Sequence, residues 1–183
     1  MKELQESGEV LLNMYQAGDD NAFTELVLHY QDGLSSFING IVKDKHETEH
    51  LTIETFARLA ASKNNFAGRS SFKTYLYTIG KNIALRHLKT RGQQHLSFEE
   101  VTWMFADEGE TPESSMERKE NRQRLLDTIN SLKEDYRDVL KLLYFEDMSY
   151  IQAGEVMQKN EMQIKNLAHR AKAALKKKLE ADL

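Results

Sequence analysis

The side chains best suited to chemistry in this chain are cations, and they fall in two blocks free of carboxylates. Between Met162 and Leu179 the charged residues are Lys165, Arg170, Lys172, Lys176, Lys177 and Lys178. Between Phe66 and Phe98 they are Arg69, Lys73, Lys81, Arg86, Lys89 and Arg91. Cations spread along a helix hold phosphates, and interleaved Ser, Asn, Gln and His reach bases or sugars. Binding of a polyanion is the chemistry these residue types support. Covalent catalysis has less to work with. With no cysteine there is no thiolate nucleophile, disulfide or thiolate metal site. Of the six histidines, two stand at HExxH spacing, in His46-Glu47-Thr48-Glu49-His50. His46 and His50 stand four apart beside Glu47, Glu49 and Glu54, which permits a metal. On so charged a helix they read as a solvated face, so neither metal nor cofactor is expected.

These residues need helices to carry them. From Leu132 to Leu179 two amphipathic helices flank a short polar break, Gln158-Lys159-Asn160. Ser149 caps the shorter one, SYIQAGEVM, and the last runs from Glu161 to Lys178 with Ile164, Leu167, Ala168, Ala171 and Leu175 inward. That is the layout of a helix-turn-helix whose second helix faces DNA. Upstream, Tyr136, Val139, Leu140, Leu143 and Tyr144 mark another helix, and Leu125, Leu126, Ile129 and Leu132 one more. In the first half, Phe23, Leu26, Val27, Tyr30, Leu34, Phe37, Ile38 and Ile41 recur at helical steps after Asp19-Asp20-Asn21. A helix over Glu47–Leu59 follows, then the break Gly68-Arg69-Ser70-Ser71, then a basic helix from Phe72 to Arg91. No run alternates with period two.

The chain has 183 residues, 40% of them hydrophobic, a net charge of -4 and a mean hydropathy of -0.63. No stretch approaches the roughly 20 apolar residues that span a bilayer. The amino terminus is acidic and amphipathic, without the basic flank and apolar run of a signal peptide. A cytoplasmic location with no membrane insertion is expected. The small net charge hides an alternation, because Glu99 to Glu120 is strongly acidic between the two basic blocks. The one proline, Pro112, lies there with Gly109, Ser114 and Ser115. The expected organisation is all-α: a helical domain over 1–92, an acidic flexible linker over 93–118, and a helix-turn-helix domain over 119–183. Trp103 and Phe105 are odd for a free tether and are expected to pack on this chain or a partner.

This order resembles the extracytoplasmic-function sigma factors of bacterial RNA polymerase, over about residues 19 to 180. The first half is similar to sigma region 2 in DNAFTELVLHY, ETEHLTIETFARL and FAGRSSFKTYLYTIGKNIALRHLK. The second is similar to region 4 in LKEDYRDVLKLLYFEDMSYIQAGEVM and IKNLAHRAKAAL. The resemblance implies a factor that binds core RNA polymerase and directs initiation at particular promoters. It implies docking of Glu49, His50, Leu51, Ile53, Glu54, Thr55 and Arg58 on the clamp coiled coil of the largest catalytic subunit. It implies that region 2 recognises and melts the −10 element through Arg69, Ser70, Ser71, Lys73, Tyr77, Lys81, Asn82, Arg86 and Lys89. Extruded bases need aromatic surfaces or pockets, and the strand needs cations. Tyr75 and Tyr77 are open to two readings, stacking surface or core aromatic. Region 4 is implied to read the −35 duplex through Glu161, Gln163, Lys165, Asn166 and His169, with Arg170 and Lys172 on phosphates, while touching the flap of the second large subunit. An anti-sigma factor is a further implied partner. The acidic linker would thread the polymerase cleft, or act only as a solvated tether.

The chain departs from the family pattern at named places. His50 replaces a carboxylate and Ile53 a glutamine, and a charge-assisted contact is worth about 1.5–3 kcal/mol. Gly154 stands where alanine is usual, Gln158 where glycine is, and Leu167 where arginine is. Lys176, Lys177 and Lys178 suit a solvated helix end as well as phosphates. The competing reading is a helix-turn-helix regulator, or a degenerate sigma-like protein that does not itself initiate transcription. A helical enzyme has little support.

Overall fold

A computed structural model describes residues 7–62, 66–91 and 123–181, and these carry helices and no strand. The helices are α1 (Gly8–Gln16), α2 (Asp20–Val42), α3 (Lys45–Ala61), α4 (Phe72–Arg91), α5 (123–130), α6 (Glu134–Tyr144), α7 (Tyr150–Met157) and α8 (Glu161–Ala181). The expected linker, with Trp103 and Phe105, lies outside the described residues.

Local sequence sets the helix ends. Asp19 accepts the Asn21 N–H at 3.0 Å to start α2, and Asp44 accepts the Glu47 N–H at 3.0 Å to start α3. Between them the chain turns through Lys43 in the left-handed region, φ 55°. Ser149 and Gln152 form a reciprocal capping box on α7. Asn160 and Gln163 exchange the same pair of bonds at α8, 2.8 and 2.9 Å. α4 takes its cap from far away: Glu9 of α1 accepts the Phe72 N–H at 2.7 Å. That bond ties the acidic amino-terminal helix to the start of the basic one, and it holds the Glu9 carboxyl below its usual pKa against the opposing effect of burial.

Helices α1 to α4 form the first bundle around Leu12, Leu26, Leu34, Phe37, Ile38, Leu59, Phe72 and Leu76. Helices α5 to α8 form the second around Val139, Leu142, Ala153, Ile164 and Ala171. The two share one apolar cluster, because α6 lies on α2 and α7 on α4. The expected fold class, two small helical units with a helix-turn-helix in the second, is what the structure holds. Their close packing on each other was not visible in the pattern.

Candidate nucleic-acid interface

The α7–turn–α8 unit is built for close approach. Gln158 caps α7 in the left-handed region, φ 55°, and the Lys159 N–H returns to the Gly154 carbonyl at 2.9 Å. A Cβ on Gly154 would lie 2.5 Å from the Lys159 carbonyl oxygen. Glycine at 154 therefore lets the turn fold back on its own helix, and the usual alanine would not fit.

From this turn α8 projects its polar face. Glu161, Gln163, Lys165, Asn166, His169, Arg170 and Lys172 are all exposed, while Ile164, Leu167, Ala168 and Ala171 are buried. Leu167 is 5% exposed and belongs to the core, so its aliphatic side chain fits its place in this helix. Gln163 also serves the α8 cap, which fixes its side chain at the helix entrance. Two residues that the sequence reading gave no part in DNA binding join this face. The Lys165 ammonium lies 5.7 Å above the Tyr150 ring and Lys172 4.7 Å above Tyr144. Each tyrosine is a platform for a cation. Tyr144 fits the apolar period of α6 and so reads as core, yet it is exposed, as is Tyr150 at the start of α7. Lys165 also pairs with Glu161 at 2.6 Å, which raises its pKa.

The expected −10 residues fall into two sets on and before α4. Arg69, Asn82, Arg86 and Lys89 are exposed. Lys73, Tyr77 and Lys81, spaced by four, face the second bundle instead, with Ser71 at the same end. Lys73 Nζ reaches the Glu146 carboxylate at 2.9 Å and the Glu146 carbonyl at 2.7 Å. Lys81 stands 3.9 Å from Asp138, and Ser71 Oγ accepts a bond from Gln152 at 3.0 Å. Ser70 is half-buried, its hydroxyl 3.4 Å from the Ser71 carbonyl oxygen. Tyr77 is fully buried, and burial, reinforced by the Glu146 charge, pushes its pKa well above the ordinary value. In this arrangement it is a core aromatic, packed 5.4 Å from Phe37, and offers no ring to a base.

The candidate docking face on α3 is also divided. Glu49, His50, Ile53 and Arg58 are exposed, and Arg58 pairs with half-buried Glu54 at 3.1 Å. Leu51 and Thr55 point inward, 2% and 0% exposed. Thr55 gives its hydroxyl hydrogen to the Leu51 carbonyl at 2.7 Å. They position α3 and present nothing outward, which corrects the expectation that they meet the polymerase directly. Ile53 is 69% exposed and stands as an apolar knob amid charges. Among the described residues no group of three or more His, Asp or Glu side chains could hold a metal, and no helix is long and apolar enough to cross a membrane.

Comparison with known proteins matches this geometry. Residues 26–94 match the model of sigma-70 region 2, and residues 122–175 that of sigma-70 region 4. A region 2 bundle followed by a region 4 helix-turn-helix defines the class as a two-region sigma factor. The RNA polymerase sigma-H factor of Pseudomonas aeruginosa is 34% identical over 96% of this chain and 95% of its own length. The ECF sigma factor SigW of Bacillus subtilis is 26% identical over 92% and 94%. The chain belongs to the extracytoplasmic-function group of the sigma-70 family. Two solved structures share its fold. CnrH in complex with the cytosolic domain of CnrY gives a TM-score of 0.69 at 19% identity, covering 97% of this chain and 100% of that one. RpoE of Bartonella quintana in complex with the anti-sigma factor NepR gives 0.68 at 22% identity, covering 88% and 98%.

Proposed function

We propose that this chain binds core RNA polymerase and directs promoter-specific initiation, acting without catalysis of its own. The observation that carries the reading is the succession of the two sigma regions, each displaying an exposed cationic helix, α4 and α8. Region 4 inserts α8 into the −35 major groove, with Glu161, Gln163, Lys165, Asn166 and His169 nearest the bases and Arg170 and Lys172 on phosphates. Region 2 takes the −10 element through Arg69, Ser70, Ser71, Lys73, Lys81, Asn82, Arg86 and Lys89, with Tyr77 supporting α4 from within.

The outer face of α3, with Glu49, His50, Ile53, Glu54 and Arg58, docks on the clamp coiled coil of the largest subunit, and region 4 touches the flap of the second. Domain limits follow at 1–92 and 119–183, joined by 93–118. The site of action is the cytoplasm. An anti-sigma factor is a further partner, supported by the two complexes that share the fold. The test is transcription in vitro with purified core polymerase on genomic DNA from the source organism, followed by sequencing of the 5′ ends. Starts that depend on this chain and share two upstream elements are the expected result. Binding to core or to duplex DNA with no dependent start would favour the regulator reading instead.

A further inference from the structure

The first turn of α8 carries one side chain that serves neither the core nor the helix end. Met162 is 65% exposed. With Asn166 and His169 it forms an i, i+4, i+7 stripe, opposite the buried Ile164, Leu167, Ala168 and Ala171. Its two neighbours are already engaged. Glu161 holds Lys165 at 2.6 Å, and Gln163 exchanges two bonds with Asn160 at the helix start. The outermost side chain of the turn that leads α8 is therefore apolar, and it stands among polar and charged groups.

An exposed methionine is ordinary alone, but the place of this one is the centre of the candidate DNA-reading face. At 3.6 residues per turn, Lys165 and Lys172 fall on one flank of the stripe and Arg170 on the other. A major groove has a phosphate wall on each side, so cations on both flanks set the stripe over the base edges between them. The N-terminal residues of a recognition helix are those that reach the bases. Among those edges the groove offers one apolar handle, the C5-methyl group of thymine. A thioether on an unbranched stem adapts to such a methyl without demanding one geometry.

We propose that Met162 is a specificity-determining residue of α8, and that its side chain packs on a thymine methyl in the −35 element. The contact adds an apolar readout beside the polar readers Asn166 and His169. This rests on the reading that α8 enters the −35 major groove, and the experiment separates the two.

The full chain, alone and with core polymerase, is used to select duplexes from a library with a randomised segment. The selection is repeated with Met162→Ala, which removes the reach, and Met162→Gln, which keeps the length but ends in an amide. Residue 162 is exposed and both replacements are good helix formers, so the fold is kept. Each thymine of the selected site is then replaced, one at a time, by deoxyuridine, which removes the C5-methyl and nothing else. Burial of one such carbon is worth about fourfold in affinity. The expected result is one thymine whose replacement weakens the parent by about that factor and leaves both variants unmoved. That position is expected to relax in the variants' own selections. The salt dependence of binding is expected to be the same in all three chains, because no phosphate contact is touched. A selected site without thymine, a parent indifferent to every deoxyuridine, variants that keep the parent's response, or a salt slope that changes with residue 162 would overturn the inference while leaving α8 as the reader. No enriched sequence, with or without core polymerase, would remove the −35 reading itself and the inference with it.

Discussion

At the scale of single residues, the turn between α7 and α8 shows how one atom decides a substitution. Gly154→Ala gains about 1 kcal/mol of helix propensity. It also sets a methyl 2.5 Å from a backbone carbonyl that cannot swing away. Overpacking costs about 1–3 kcal/mol, so a net loss is expected, read as a lower denaturation midpoint. Gln158→Gly is expected to act the other way. A left-handed backbone costs a side-chain-bearing residue about 1–2 kcal/mol, and glycine relieves most of that at φ 55°. Sequence marked both positions as unusual. It did not say which of them was under strain, because that depends on a carbonyl five residues away.

At the scale of elements, caps and faces matter more than single contacts. Ser149→Ala breaks the α7 capping box and is expected to cost about 1 kcal/mol, measured by urea unfolding. On α8, Arg170 and Lys172 stand beyond the first turns, which the proposed reading sets nearest the bases. Replacing either with alanine is expected to weaken −35 duplex binding at every sequence and to reduce the salt slope by about 0.9. Substitutions at Gln163 or Asn166 are expected to change sequence preference instead. The α8 face was legible from periodicity alone, since every residue assigned to it is exposed. The α3 face was less so. Thr55 is polar and four residues from Leu51, and only packing reveals that its hydroxyl is satisfied within its own helix.

At the scale of the molecule, the packing of α6 on α2 carries a pH signature. Lys141 is 4% exposed, and burial, with Arg137 beside it, lowers its pKa from 10.5 to about 8. In the unfolded chain the amine returns towards 10.5 and binds a proton across that interval. The folded form then holds fewer protons than the unfolded one, so its stability rises with pH. The rise begins near pH 8, and the gain is lost as pH falls back through that value. Tyr77 works against it from about pH 10, because its raised pKa makes the folded form hold a proton that the unfolded one releases. The expected outcome is a denaturation midpoint that climbs between pH 8 and 10. In Lys141→Met the climb is expected to be absent. Burial likewise raises the Asp138 pKa, against the pull of Arg137 and Lys81.

Two patterns were settled by sequence alone: the apolar steps that mark most of the helices, and the runs 66–98 and 162–179 that carry cations without carboxylates. Both are local, because a helix repeats every 3.6 residues and its faces follow from order along the chain. The tertiary structure decided which cations remain free. Lys73 and Lys81 look like Arg86 and Lys89 in sequence, yet the first two lie against carboxylates 73 and 57 residues away and the others face solvent. That division depends on where a second bundle settles, and no local spacing encodes it.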